Sequence, residues 1–552
     1  MGIPMHGDKS AETGESNEGP VTVRDYHQRS KHHIGRYAAG PGTIDWDNQP
    51  NPFRRFDGAE VVELPLVADS IGCSYADLYD PPRAGKQVLD QRGIAALLEL
   101  SLGLSAWKQY GDARWSLRCN PSSGNLHPTE AYIAAIGLPD LADGIYHYAP
   151  EAHALEQRCR FRLDNSSPGR GLLLGLSTIH WREAWKYGER AWRYCQLDTG
   201  HALAAVAYAS AALGWRATLL DHWSDEDVAR LLGLDRDRDF ADSEREVPEL
   251  LLWITDETES GTGEIEAETW LSFLDDATWS GIANRLDPKP LYQWPVIEEV
   301  SAITRKPATD QPDIQATTPS TLTPMESTLD AAMIIRQRRS AQAFDGKTAM
   351  SSASFFRMLD CLQSRPDLPP WFGFPLIPRI HLLFFVHRVT GLEPGLYFLP
   401  RRQDAETELR QQLRQEFKWQ KLDDCPEHLP LYHLLSANCQ NAARTVSCHQ
   451  DIASDSCFSL AMLAEYDAPL ETGDWNYRRL YWEAGVIGQV LYLEAEAAGL
   501  RGTGIGCFFD NAVHDILGIK DTRLQDLYHF TVGAPIVDPR LISLPPYGHR
   551  RK

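Results

Sequence analysis

The chain has 552 residues with 43% hydrophobic and 10% aromatic content, an ordinary globular mixture too long for one core, so two large domains are expected. Acidic residues number 76 against 54 basic ones, a net charge of −22, which disfavours nucleic-acid and anionic-membrane partners because both need basic patches. No apolar run approaches the ~20 residues of a membrane span. Residues 1–20 are polar and rich in Gly, Ser and Glu, so they are expected to be a disordered tail and not a signal peptide. The ten cysteines include no Cys-x-x-Cys pair. Cys439, Cys448 and Cys457, with His449 among them, match no common zinc spacing. Reduced thiols, no metal site and a cytoplasmic location are expected.

In chain order, Tyr26–His33 is followed by the Pro- and Asn-rich stretch Asp45–Phe56, which should be irregular and anchored by its aromatics. His32 and His33 are adjacent, do not share a helix face, and read as a solvated helix start. Ile94, Leu97, Leu98, Leu100, Leu102 and Leu104 predict an amphipathic helix over 92–107. Arg118–Glu130 then holds two prolines, two adjacent serines, a glycine and two asparagines. Pro and Gly fix the backbone path there, and Ser and Asn offer hydroxyls and amides to something polar and planar.

The alternation Ala131–Ile136 predicts a buried segment, and Gly144–Tyr148 a short edge strand. Trp181–Tyr194 leads into Gly200–Ala209, whose small residues suit a helix buried on most sides. Glycines and prolines mark a connector over 257–325, with Trp270, Trp279 and Trp294 packing part of it on a domain. The second half opens with a helical pattern over Ala331–Arg339. Strands are expected at Ile380–Val386 and Gly395–Leu399, a helix at Ala484–Leu493, and a glycine-rich stretch at Gly499–Gly506.

The halves repeat. Gly200, Gly214 and Gly233 recur 285 residues on as Gly485, Gly499 and Gly518, inside similar helical patterns. Two copies of this size are a tandem duplication and not a solenoid. The expected division is a tail over 1–20, a first domain over 21–256, a connector over 257–325 and a second domain over 326–552. The copies differ: the first keeps Pro121-Ser122-Ser123-Gly124-Asn125, where the second has Pro369–Pro375. The second keeps Arg336–Phe344, and the first has no such arginine cluster.

Pro-Ser-Ser-Gly-Asn-x-x-Pro resembles the signature turn of nitroreductase-type flavoproteins. With Arg118 ahead of it and Thr129-Glu130-Ala131-Tyr132 after it, the stretch is similar to the azoline-oxidase (SagB/ThcOx-type) dehydrogenases. Arg338-Arg339-Ser340 with Phe344 looks like the opening motif of nitroreductases. The resemblance implies an α+β fold, two nitroreductase-like domains with mainly antiparallel sheets flanked by helices, paired as an intrachain pseudo-dimer. It also implies FMN, with the turn residues Pro121, Ser122, Ser123 and Asn125 along the ring from one half. Arg338, Arg339 and Ser340 would hold the phosphate from the other. Each half would thus complete one site and leave one dead.

A phosphate dianion calls for forked, permanently charged donors, which guanidinium supplies. Many relatives carry a third basic residue where this chain has Gln342, a loss expected to weaken phosphate binding unless Arg540 or Arg550 replaces it. Gly504-Ile505-Gly506-Cys507 resembles the strand whose backbone approaches the flavin's reactive nitrogen. Lys186-Tyr187 resembles the pair that removes the substrate proton in azoline oxidases. Glu183, Glu189, Arg190 and Arg193 leave open an ordinary salt-bridged helix there. The expected function is FMN-dependent dehydrogenation of a small-molecule or modified-peptide heterocycle. An NAD(P)H-dependent nitro or quinone reductase, a flavin-free binding scaffold, and association into a homo-oligomer stay open.

Overall fold

The computed structural model describes residues 22–80, 86–162, 170–256, 266–310, 322 and 328–550; the N-terminal tail and most of the Thr/Ser/Pro run of the connector lie outside them. Each half is organised on one 22-residue helix, Ala191–Ala212 in the first and Asn476–Ala497 in the second. The first is buried along its whole length, which its run of Ala, Gly and Ser permits. The two helices start 285 residues apart. Each half also closes a later short helix on a left-handed glycine, Gly233 at φ 71° and Gly518 at φ 76°.

Six strands of the two sheets match in spatial and chain order; the two-residue edge strands come from different places in the chain, and in the first sheet Glu60–Glu63 also pairs with Ala154–Arg160. In the first the order is Thr278–Trp279, Ala154–Arg160, Gly144–Ala149, Thr129–Ile136, Gly171–Thr178, Val247–Thr255, Arg216–Leu219. In the second it is Gln420–Lys421, Tyr432–Ser436, Gly395–Leu399, Ile380–Val386, Phe458–Glu465, Leu524–Gly533, Arg501–Ile505. The pairings described along both paths are antiparallel. The fold is α+β and duplicated in tandem.

Several local expectations change. The helix predicted over 92–107 stops at Ser101, because Gly103 turns back so that its N–H reaches the Leu98 carbonyl. Leu104–Tyr110 is then a strand paired with Ala113–Arg118. Gly144–Ala149 is an interior strand, covered on its outer side by Ala154–Arg160. The connector is not all linker: Thr278–Trp279 extends the first sheet and Ile282–Ala283 pairs with Phe56–Asp57. His32 is buried, with its N–H on Asp510, and the helix lies before it, at Val23–Arg29.

The chain ends cross between halves. The Val23–Arg29 helix reaches the second half through His27, which bonds Tyr477 and Gln525 at 2.9 and 3.0 Å. Near the C-terminus, Ile542–Leu544 adds a strand beside Leu104–Tyr110 of the first half.

The central helices cross at Gly200 and Gly485. A methyl group on Gly200 would collide with the Trp482 carbonyl, and one on Gly485 would lie 2.8 Å from the Gly200 Cα. Helix propensity alone makes Gly485→Ala stabilising by up to about 1 kcal/mol. The crossing makes it overpacked, at a cost of about 1–3 kcal/mol. We expect a net loss in urea unfolding; a gain would show that the helices do not meet there.

Candidate active site

A cavity of about 470 Å³ lies at the junction of the halves. Its walls include Pro121, Ser122, Ser123 and Asn125 from the first half, and Arg338, Arg339, Ser340, Ile505, Gly506 and Cys507 from the second. The residues singled out for cofactor contact thus meet in one place, although more than 200 positions separate the two groups in sequence.

The turn is held under backbone strain. Gly124, Asn125 and His127 have φ of 58°, 60° and 53°, a region costly for residues with a side chain. Much of the turn's polar capacity is spent on this conformation. Ser122 Oγ accepts the His127 N–H at 2.8 Å, and Asn125 donates to the Ser116 carbonyl at 2.9 Å. Ser123 donates its N–H and its hydroxyl to Asp198, each at 3.0 Å. These side chains border the cavity chiefly as a shaped wall. Behind them Asn120 is buried with its Oδ1 unpartnered and also borders the cavity.

On the opposite wall Ser340 and the strand Arg501–Ile505 are locked together. The Ala341 N–H bonds the Gly502 carbonyl at 3.1 Å. Tyr492 on the second central helix pairs its hydroxyl with Ser340 at 2.8 Å and accepts the Gly504 N–H at 3.0 Å. The Gly506 carbonyl accepts from Tyr194 and Arg190, both at 3.1 Å. In a trans peptide the Cys507 N–H points the other way.

One end of the cavity is short of negative charge. Arg338 is buried, 5.0 Å over the Tyr492 ring, and donates to the Arg118 and Cys119 carbonyls. Arg339 donates to Ser105 and to neighbouring carbonyls. Burial lowers both, Arg339 to about 10 with Arg338 beside it. Lys108 and Arg501 border the same cavity. Burial, with Arg339 and Arg501 nearby, lowers Lys108 as well. Glu496 lies 3.5 Å from Arg501, and Asp538 is on the cavity lining. Neither Arg540 nor Arg550 lines this cavity. Arg540 is exposed and paired with Asp538 at 2.8 Å, and Arg550 bonds the Leu64 carbonyl.

Lys186 and Tyr187 end the helix His180–Tyr187. Tyr187 borders the cavity; Lys186 stands behind it, against the turn. A methyl group at Gly124 would lie 2.5 Å from the Tyr187 hydroxyl and 3.1 Å from Lys186 Nζ. The salt-bridged alternative holds for three of its four charges, though none of them pairs with Lys186. Glu189 pairs with Arg29, and Arg190 and Arg193 pair with Asp510 at 2.8 and 2.5 Å. Lys186 instead lies 5.5 Å over the Trp46 ring, and burial lowers its pKa against the pull of Glu183. Burial pushes the Tyr187 hydroxyl well up.

Sequence reasoning missed Lys108, Asn120, Asp198, Tyr492 and Arg501. Asp198, a carboxylate inside a run of small residues, and Arg501, just ahead of the glycines, were visible signals; Lys108 and Tyr492 carried none. Burial raises Asp198 to about 7 and Glu183 well above its usual range. An unfolded aspartate titrates near 3.9, so between about pH 4 and about pH 7 folded Asp198 keeps a proton that the unfolded chain has lost. Stability should fall as pH rises through that window and stay lower above it. Asp198→Asn should flatten this part of the profile, read as urea midpoints at about pH 5 and about pH 8; an unchanged slope would count against the buried carboxyl.

No family model matches the chain. A provisionally named nitroreductase of Methanocaldococcus jannaschii is 23% identical over 127 residues, 20% of this chain and 62% of its own length. A crystal structure from Anabaena variabilis, provisionally named a nitroreductase, superposes over 93% of this chain and 99% of its own, with a TM-score of 0.67 and 21% identity. A chain of the E. coli microcin synthetase McbBCD complex covers 44% of this one and 85% of its own, with a TM-score of 0.26 and 17% identity. Superposition across both halves establishes the architecture: this chain carries the nitroreductase fold twice, in tandem.

Proposed function

We propose that the chain is an FMN-dependent oxidoreductase of the nitroreductase superfamily, a dehydrogenase of a small or peptide-derived heterocycle, with the flavin held between its halves. The observation that carries this reading is a cluster of under-compensated cations from the second half, facing the strained turn of the first across one cavity. The cavity falls in the range of about 300–1,000 Å³ typical of small-molecule and cofactor sites. Fully charged guanidiniums buried without matching carboxylates are costly unless an anion completes them, and a flavin phosphate is such an anion.

In this reading Arg338, Arg339 and Ser340 hold the phosphate, with Lys108 and Arg501 beside them. Pro121–Asn125 and Ile505–Cys507 flank the ring. Bound FMN supplies a hydride acceptor. Tyr187, kept protonated by burial, borders the cavity and relays the substrate proton to Lys186 behind it, whose neutral amine burial favours. A peptide-derived azoline is the substrate class suggested by the Lys-Tyr pair and the extended turn motif, both features of the resemblance to azoline oxidases.

A second cofactor site is not expected. In the second half Trp371 and Phe372 are buried, and Phe372 stacks under Arg216 at 5.4 Å, against the strand that corresponds to Arg501–Ile505. Titration of the apoprotein should therefore saturate at one FMN per chain, and Arg338→Ala should weaken binding by about 1.5–3 kcal/mol. Two equal sites, or no uptake at all, would overturn the reading, the latter in favour of a binding scaffold.

The proton transfer is tested with a synthetic peptide carrying one thiazoline. Anaerobic mixing should bleach the flavin and remove two hydrogens from the peptide. Lys186→Ala should slow bleaching by roughly 100- to 10,000-fold with FMN content unchanged. Bleaching by NADPH and none by the peptide would favour the reductase.

A further inference from the structure

A second cavity, of about 820 Å³, lies on the outer side of the helix His180–Tyr187, roofed by the connector between Arg285 and Glu299. It shares no lining residue with the candidate active site. Three polar atoms on its walls are buried without a partner: His180 Nε2, Ser243 Oγ and Trp294 Nε1. The His180 side chain is itself only 5% exposed. Buried donors and acceptors are almost always paired, so three orphans around one cavity point to an absent occupant.

The walls describe that occupant. Tyr292 and Trp294 stack with ring centres 6.0 Å apart and planes 24° apart. Trp181 is held in place by its N–H on Asp287 at 2.8 Å. Glu244 grips the Leu286 and Asp287 N–H groups at 2.9 and 2.8 Å, so the roof is preformed. Among the acidic and basic side chains on the lining, Asp242, Glu244, Asp287, Glu298 and Glu299 stand against one arginine, Arg285. Burial raises the Glu298 carboxyl despite Arg305 nearby, a site that a positive charge would relieve. Aromatic faces attract planar rings and cations alike, and His180, kept neutral by burial, adds a hydrogen-bonding nitrogen and no charge.

We propose that this cavity is a second ligand site, built for a small aromatic cation. The occupant stacks on the Tyr292–Trp294 ring pair, sets its charge against Glu298 and Glu299, and satisfies Ser243, Trp294 and His180. It would sit on the same helix that carries Lys186 and Tyr187, with Ala184 in the wall.

The test uses the full chain with excess FMN, so that the first cavity is filled, and titrates tryptamine against indole, its neutral counterpart, by calorimetry. Tryptamine should bind saturably at one per chain and more tightly than indole, without disturbing the flavin spectrum. Replacing both carboxylates, Glu298→Gln with Glu299→Gln, should weaken tryptamine by at least about tenfold and leave indole unchanged. Ser243→Ala and Trp294→Phe should weaken both ligands. No saturable binding, the result if ordered water alone fills the cavity, would overturn the proposal. So would equal affinity for indole and tryptamine, or tryptamine binding that none of these substitutions affects.

Discussion

The close crossing of the central helices at Gly200 and Gly485 is the contact on which the rest of the molecule depends. With hydrogen in place of a methyl group, the backbone of one helix reaches that of the other. This proximity carries Asp198 and Tyr194 of the first helix and Tyr492 of the second to the walls of one cavity. Asp198 then fixes the Ser123 turn, Tyr194 the Gly506 carbonyl, and Tyr492 both Ser340 and Gly504. The same two helices that bury the interface therefore aim the residues that face the cavity. Buried contacts across the junction support the geometry: Arg190 and Arg193 of the first half share Asp510 of the second, which they hold well below the usual carboxylate range despite its burial.

Duplication gives this arrangement a freedom that a symmetric dimer lacks. Two identical subunits must present the same surface twice. Two fused copies can diverge, and here each has kept one wall. The polar turn survives in the first half, where it meets the cations of the second. At the other junction Trp371, Phe372 and Phe374 pack as core, which exchanges a polar site for apolar burial. The crossed ends, with the Val23–Arg29 helix on the second half and the Ile542–Leu544 strand on the first, tie the pair further.

Electrostatics divides the cavity into two environments. The Arg338 end gathers Arg338, Arg339, Lys108 and Arg501. The Tyr187 end gathers neutral or easily neutralised groups: Glu183 and Asp198 raised by burial, Lys186 lowered by it. A chain with a net charge of −22 thus gathers a local excess of cations at one end of this cavity.

The sequence by itself determined the duplication, because Gly200, Gly214 and Gly233 recur at one spacing and glycine marks backbone constraints that survive divergence in side chains. It also determined the strands Ile380–Val386 and Gly395–Leu399, whose patterns are local, and the residues of the strained turn, whose Pro, Gly and Asn encode their own conformation. Only the tertiary structure decided that the helix begun at Gln91 gives way to a strand after Gly103, since Leu102 and Leu104 fit either pattern until a pairing partner is chosen. It decided that Gly144–Ala149 is interior, because a strand's neighbours are set by the sheet and not by its own residues. Lys108, Tyr492 and Arg501 became cavity residues in the same way. A lysine on a strand or a tyrosine on a helix has no local signature, and each acquires a role through the crossing of two helices that lie 285 residues apart in the chain.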